Sequence, residues 1–295
     1  MRVAVDSNRK QLKNCIDKAY ALGICCDKMK SALDYAVANW DSTSDEAIAN
    51  QEKLAEILPI AVEKSTGEAK ENYAKMLELK DYFVDKSVWI IGGDGWAYDI
   101  GYGGLDHVVS QNRNVNILVL DTEIYSNTGG QASKSTPIGA IALFAAAGMR
   151  STKKNIGFMC MSYGNVYVAS IAMGANRQQT LAAIKEAEAY NGPSIIFAYA
   201  PCMLHGINMT KSQDEAKRAV EAGYWPLYRY NPVAEKPFVW ETKEPVGDFQ
   251  EFIRGENRYR QLLKKAPGEA EGIFAEAEAD AKRRMEFYKK MGEIL

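Results

Sequence analysis

The stretch Gly92-Gly93-Asp94-Gly95 combines a carboxylate with small residues that let a backbone approach a bound anion closely. An aspartate about 4 Å from a phosphate charge would be repelled by roughly 4 kcal/mol at an effective dielectric of about 20. A divalent cation between the two groups removes this conflict, because Mg²⁺ takes oxygen ligands and is commonly shared between a protein carboxylate and phosphate oxygens. The stretch therefore predicts a metal-bridged diphosphate site anchored by Asp94.

Two commoner phosphate motifs do not fit these residues. In a dinucleotide-binding G-x-G-x-x-G loop that begins at Gly93, the third glycine position is occupied by Tyr98. The P-loop pattern also fails, because no Gly-Lys-Ser/Thr follows. The acid between the glycines is thus the feature that the interpretation must explain.

A second group of oxygen ligands is expected in the stretch DTEIYSNTGGQ, residues 121–131. It lies about one helix and one strand beyond Asp94, so it returns to the same edge of a parallel sheet. There the Thr122 hydroxyl would be a second metal ligand, and the Ile124 carbonyl would be a third. A plain turn without a ligand remains the alternative, since Gly-Asp-Gly also occurs in ordinary turns.

The elements that would position these residues begin near residue 87. Unbroken apolar runs predict buried strands, and amphipathic stretches between them predict helices. The expected strands are 87–91, 115–120, 156–161 and 194–200, and the expected helices are 99–111, 138–147, 166–174 and 177–190. This alternation predicts an α/β fold with a parallel sheet covered by helices on both faces, and ligands beyond the carboxyl ends of its strands.

The flanking regions have a different pattern. Residues 1–82 predict a helical connector of the same domain, with helices at 8–22, 27–40, 45–64 and 68–82. After an α/β core at 83–232, residues 233–295 predict a strand and a helical extension. Within that extension, acids precede bases from residue 268 onward, which suits a helix macrodipole.

Composition excludes several classes of protein. A net charge of −2 argues against a general nucleic-acid binder, and no apolar run is long enough to span a membrane. The first residues have no apolar segment of the kind found in signal peptides. Five cysteines at irregular spacing do not suggest a disulfide framework, so a reducing cytoplasm is expected.

Longer motifs are similar to one enzyme family. The segments GGDGWAYDIGYGGLDHV (92–108), LDTEIYSNTGGQASKSTPIGA (120–140), MSYGNVYVASIAMGAN (161–176) and AYAPCMLHGIN (198–208) resemble the C-terminal thiamine-diphosphate domain of pyruvate:ferredoxin (or flavodoxin) oxidoreductases. The resemblance covers most of the chain. In place of the asparagine that most thiamine-diphosphate enzymes have at the second metal arm, this sequence has Thr122.

The resemblance implies a set of roles for single residues. Asp94, Thr122 and the Ile124 carbonyl would hold Mg²⁺, while Gly93, Gly95 and Trp96 would surround the diphosphate. Asn127 would reach toward the thiazolium and the substrate. Cys202 would be one of four ligands of a [4Fe–4S] cluster, and the helix residue His107 and the loop residue His205 receive no acid or base role.

The resemblance also implies partners and an incomplete site. Such enzymes convert pyruvate and coenzyme A to acetyl-CoA and CO₂ and pass electrons through [4Fe–4S] clusters to ferredoxin or flavodoxin, usually as homodimers. This sequence has no C-x-x-C for the other cluster ligands and no identifiable glutamate for the aminopyrimidine ring. It is therefore expected to supply the diphosphate half of the site, as a fragment that begins inside the family's domain. Half of a non-redox thiamine enzyme and a non-catalytic interaction module are the alternatives.

Overall fold

The computed structural model describes residues 1–295 and divides them into two compact units, Met1–Val88 and Trp89–Leu295. The first unit contains four α-helices joined by short connections. They are α1 (Arg2–Ala21), α2 (Asp27–Ala38), α3 (Asp45–Lys64) and α4 (Gly67–Glu78). The four helices expected from the sequence are thus present, although α1 begins at Arg2 instead of residue 8.

The core of the first unit is built from the apolar faces of these helices. Leu12, Leu33, Leu54 and Met76 come from the four different helices and are fully buried together. Ser44 ends the preceding turn, and its hydroxyl accepts a hydrogen bond from the Ala47 amide at 3.3 Å, which caps the start of α3. The helical period of the apolar residues therefore determines this unit.

The second unit is an α/β structure, as the sequence predicts. In chain order its elements are β1 (Trp89–Gly93), a wide helical turn (Gly95–Ile100), α5 (Tyr102–Ser110), β2 (Val115–Asp121), α6 (Ile156–Met161), β3 (Tyr167–Ile171), α7 (Arg177–Ala189), β4 (Pro193–Tyr199), α8 (Ser212–Glu221), β5 (Tyr228–Tyr230), β6 (Phe238–Trp240), α9 (Phe249–Gly255), α10 (Asn257–Lys265) and α11 (Ala270–Ile294). No helix of the chain is both long enough and apolar enough to cross a membrane.

The six strands form one sheet in the order β1-β2-β4-β3-β5-β6. The first four are parallel, and β5 and β6 are added as antiparallel strands at one edge. β4 lies in the middle, and six of its seven residues are buried, so the sheet is covered on both faces. In the register of β1 and β2, Gly93 is opposite Leu120, which brings the residues after these two strands to the same edge.

Between residues 156 and 174, the structure has a helix where a strand is expected and a strand where a helix is expected. Residues 156–161 form helix α6 instead of a strand, and residues 167–171 form strand β3 instead of a helix. The Asn155 side chain accepts a hydrogen bond from the Phe158 amide at 3.1 Å and so starts a helix. β3 is buried along its whole length, as its aromatic and β-branched residues favour. Short apolar runs do not distinguish the two structures by period alone.

The helix expected at 138–147 is absent. Gly139 and Phe144 have left-handed backbone conformations, with φ values of 84° and 68°, which interrupt a right-handed helix. The backbone pairs instead with the neighbouring loop, because the Ala132 amide donates to the Leu143 carbonyl and the Leu143 amide donates to the Gly130 carbonyl, both at 2.8 Å. Tertiary hydrogen bonds therefore override the helix-forming alanines of this segment.

Candidate functional site

The loops that follow β1 and β2 meet at the carboxyl edge of the sheet. Asp94 follows β1 directly, and Thr122 follows β2. The Thr122 hydroxyl lies 2.8 Å from Asp94 Oδ1 and 2.9 Å from the Ile124 carbonyl oxygen. Thus the three oxygen ligands predicted from the sequence converge at one point.

The spacing of these oxygens fits a small divalent cation. Oxygens that ligate Mg²⁺ at about 2.0–2.1 Å in an octahedron lie about 2.9 Å from their nearest neighbours. The Thr122 hydroxyl also has a single hydrogen, whereas both Asp94 Oδ1 and the Ile124 carbonyl are acceptors at hydrogen-bond distance from it. The Thr122 hydroxyl can therefore donate to only one of these two oxygens, and the other close oxygen–oxygen contact has no hydrogen between its atoms. A bound cation would stabilise that contact.

The environment of Asp94 also favours a positive ion. Its carboxylate is buried, and its second oxygen, Oδ2, accepts a hydrogen bond from the Ser133 hydroxyl at 2.5 Å. Burial, together with the nearby carboxylate of Asp121, raises the pKa of Asp94 to about 6, although Ser133 and Thr122 act in the opposite direction. A cation ligated by Asp94 would offset both causes.

A cleft with a volume of about 500 Å³ opens beside these oxygens. It is lined by residues from both loops, including all of the predicted diphosphate and substrate contacts. These are Gly93, Asp94, Gly95, Trp96, Thr122, Ile124 and Asn127. The cleft is thus the place at which a diphosphate could meet the oxygen cluster.

The two glycines that flank Asp94 have different surroundings. A Cβ atom on Gly95 would lie 2.4 Å from the Tyr125 ring, and the Tyr125 hydroxyl donates to the Gly95 carbonyl at 3.0 Å. A Cβ atom on Gly93 would meet no atom closer than the Leu120 carbonyl at 3.9 Å. Gly95 therefore allows close packing of the protein on itself, whereas the space beside Gly93 belongs to the cleft.

Cys202 lies beyond the end of β4, close to the same loops. Its half-buried Sγ atom is 3.4 Å from the Ser126 hydroxyl, which is itself 2.9 Å from the Thr122 hydroxyl. All five cysteines of the chain are free thiols. No group of three or more His, Cys, Asp or Glu side chains in this chain converges as a metal site.

His205 is placed at the site, although sequence reasoning gave it no role. Its ring is fully buried, and Nε2 lies 2.9 Å from the Thr122 carbonyl oxygen, which accepts its hydrogen. Burial lowers the pKa of His205 to about 3, and Arg258 acts in the same direction. The ring is therefore neutral and holds the backbone of the loop.

Sequence reasoning also missed the hydroxyl groups that surround the carboxylates. Ser133 contacts Asp94, and Ser135 donates to Asp121 Oδ1 at 2.5 Å. Thr136 donates to the Glu123 carbonyl at 2.7 Å. These three residues belong to the run SKST, residues 133–136, and all three are buried. Such a run of hydroxyl side chains after a strand can indicate a segment that returns to hydrogen-bond the acids at the strand ends.

Comparison with known proteins gives consistent matches. The family model described as thiamine pyrophosphate enzyme, C-terminal TPP binding domain, matches residues 74–198. A pyruvate:ferredoxin oxidoreductase of Moorella thermoacetica is 52% identical over 99% of this chain and 25% of its own length. A pyruvate-flavodoxin oxidoreductase of Klebsiella pneumoniae is 48% identical over 96% of this chain and 24% of its own length.

The chain therefore spans about a quarter of the length of these relatives. Among solved structures, a 2-oxoglutarate:ferredoxin oxidoreductase from Magnetococcus marinus, with 2-oxoglutarate, coenzyme A and succinyl-CoA bound, shares 19% identity over 74% of this chain and 73% of that chain. The TM-score of this match is 0.40.

Proposed function

We propose that this chain forms the diphosphate half of the thiamine-diphosphate site in a pyruvate:ferredoxin or pyruvate-flavodoxin oxidoreductase. The chain is homologous to about one quarter of the length of such enzymes. The observation that carries the proposal is the convergence of three oxygens at 2.8 and 2.9 Å beside the cleft. Pyruvate is the proposed substrate, since the relatives that match nearly the whole of this chain are named for pyruvate.

The residues of the cleft have distinct proposed roles. Asp94 and Thr122 would hold Mg²⁺ through their side chains and Ile124 through its carbonyl, and the ion would supply positive charge for the diphosphate. Gly93, Gly95 and Trp96 surround the diphosphate, and Asn127 faces the thiazolium and the substrate. When bound, thiamine diphosphate supplies a carbon nucleophile for cleavage of the bond next to the oxo group of the substrate. The chain's own contribution is to bind and orient the cofactor at its diphosphate end.

Cys202 is proposed as one ligand of a [4Fe–4S] cluster close to the cofactor. Its thiol is only half-buried and lies on the same sheet edge as the oxygen cluster, within reach of Ser126. Because a cluster of this type takes four cysteine ligands, three would come from other parts of the enzyme. In the assembled enzyme, Cys202→Ser should remove the paramagnetic signal of the cluster nearest the cofactor after reduction with dithionite. An unchanged signal would show that Cys202 is a structural thiol.

The complete reaction needs partners beyond this chain. We infer that other domains or subunits hold the aminopyrimidine ring, and that a homodimer transfers the acetyl group to coenzyme A. Electrons would pass through the clusters to ferredoxin or flavodoxin, the acceptors named for the relatives. The cytoplasmic location, expected from the cysteine content, stays a prediction.

The metal assignment is tested by removing its carboxylate. In the assembled enzyme, Asp94→Ala should weaken Mg²⁺-dependent binding of thiamine diphosphate about 100-fold or more, because losing even a partner of a metal ligand costs about 10–100-fold. Calorimetric titration with thiamine diphosphate, with and without Mg²⁺, measures this. Asp106→Ala is the matched control, since Asp106 accepts from the Tyr163 hydroxyl outside the cleft. An affinity of Asp94→Ala equal to that of the control would contradict the assignment.

A further inference from the structure

Glu123 connects the two loop residues whose oxygens converge on Asp94. Its backbone is left-handed, with a φ of 59°, and its side chain is buried. A residue with a side chain in this conformation is strained, and it persists only where its surroundings hold it. Because Glu123 is the one residue between Thr122 and Ile124, its backbone angles set the direction of the Ile124 carbonyl relative to the Thr122 hydroxyl.

Both oxygens of the Glu123 carboxylate are held by distant parts of the second unit. Oε1 lies 3.0 Å from Lys153 Nζ, and Oε2 lies 2.8 Å from Arg258 Nη2. Oε2 also accepts a hydrogen bond from the Tyr224 hydroxyl. Arg258 is in α10, near the C-terminal end of the chain, and is itself buried and paired with Glu256 at 2.6 Å. The side chain of Glu123 is thus fixed from two directions.

The backbone on either side of the strained position is clamped as well. The Thr136 hydroxyl donates to the Glu123 carbonyl at 2.7 Å, and His205 donates to the Thr122 carbonyl at 2.9 Å. Contacts with five residues from different parts of the chain therefore oppose relaxation of Glu123 to an ordinary conformation.

We propose that Glu123 is a positioning residue, held by Thr136, Tyr224 and Arg258, which fixes the direction of the Ile124 carbonyl relative to the Thr122 hydroxyl and so keeps the oxygen cluster in a geometry suited to Mg²⁺. The proposal rests on the function proposed above. Ca²⁺ takes ligands at about 2.3–2.6 Å in flexible geometry, whereas Mg²⁺ requires about 2.0–2.1 Å in a near-ideal octahedron. Because Mg²⁺ has the stricter requirement, a turn that relaxes is expected to lose more affinity for Mg²⁺ than for Ca²⁺.

The test compares Mg²⁺ with Ca²⁺ as the ion that supports binding of thiamine diphosphate to the assembled enzyme. Thr136→Val removes the clamp on the Glu123 carbonyl but keeps the β-branched shape, and we expect the ratio of Mg²⁺ to Ca²⁺ affinity to fall about tenfold. The matched control is Thr180→Val, because the Thr180 hydroxyl is also buried and donates to a backbone carbonyl, that of Asn176, at 3.0 Å in α7. Thr136→Ser keeps the hydroxyl and should restore the ratio.

A second pair of variants protects the test against misfolding. If Thr136→Val does not fold, Tyr224→Phe removes one hydrogen bond to Glu123, with Tyr228→Phe as the control at a buried tyrosine that donates to Tyr288. A folded Thr136→Val or Tyr224→Phe variant with the ratio of its control would overturn the positioning role while leaving the proposed metal site intact. Wild-type enzyme that binds thiamine diphosphate equally well without a divalent ion would overturn both.

Discussion

Two regions of this chain bury polar side chains in opposite ways. In the helical unit Met1–Val88, the buried polar groups donate to backbone carbonyls: Arg9 to Tyr82 and Trp40, Asn50 to Ala32, and Asn72 to Cys15. At the strand ends of the second unit, by contrast, the buried groups beside the cleft are mainly oxygens that converge on one another.

The difference separates polar groups that complete the fold from polar groups that we propose bind a cation. A buried donor that reaches a carbonyl completes its hydrogen bonds within the fold and needs no ligand. A buried carboxylate such as Asp94, whose partners are two hydroxyl groups, keeps a charge that the fold compensates only in part. We therefore expect changes in the first region to alter stability alone, and changes in the second to alter cation binding.

The largest effect on stability is expected for Asp94→Asn in the absence of metal. The raised pKa of Asp94, about 6 against an ordinary value near 3.8, means that the metal-free fold loses stability as the pH rises from about 4 through 6, where the buried group must ionise. Asn carries no charge, so this variant should be more stable than wild type at pH 7 by up to roughly 3 kcal/mol.

Urea denaturation in the presence of a chelator measures this difference. It should shrink as the pH approaches 4, where Asp94 is protonated in both the folded and the unfolded states. If the wild-type protein were more stable than Asp94→Asn at pH 7 without metal, the buried charge of Asp94 would not destabilise the fold, which would contradict this prediction.

A smaller effect, confined to stability, is expected for Asn50→Ala in the helical unit. Asn50 is buried, and its side-chain amide donates to the Ala32 carbonyl at 2.9 Å, which would be left without this partner. The expected loss is about 1–3 kcal/mol in the free energy of unfolding, with no change in Mg²⁺-dependent binding of thiamine diphosphate.

Asn39→Ala is the matched control for that experiment, because the Asn39 amide also donates to a backbone carbonyl, that of Tyr35, at 3.0 Å but is only partly buried. It should cost less than Asn50→Ala in the same urea denaturation. A weakened cation affinity in Asn50→Ala would break the distinction between the two regions.

The placement of Asp94 opposite Thr122 could be predicted from the sequence because parallel strands end at one edge of their sheet. The helices of the first unit could be predicted for a similar reason, since their apolar period is long and regular. Both predictions depend on local patterns repeated over many residues. The exchange of type between α6 and β3 shows the limit, because runs of five or six residues carry too little periodicity.

The conformation of Glu123 could not be predicted for a different physical reason. The groups that hold its carboxylate, Lys153 and Arg258, are 30 and 135 residues away in the sequence. Nothing local to DTEIYS favours a left-handed glutamate, so the fold imposes it. The return of Ser133 to Asp94, 39 residues away, is likewise a product of tertiary structure.

The central claim, that three oxygens of this chain bind the metal of thiamine diphosphate, is tested most directly by a crystal structure of the assembled enzyme grown with Mn²⁺ and thiamine diphosphate. Anomalous scattering locates Mn²⁺, which replaces Mg²⁺ at oxygen sites. We predict a single strong peak about 2.1 Å from Asp94 Oδ1, the Thr122 hydroxyl and the Ile124 carbonyl, with diphosphate oxygens completing the octahedron. A peak that is ligated by other residues, or a diphosphate bound beside Gly93 with no metal between it and Asp94, would contradict the account.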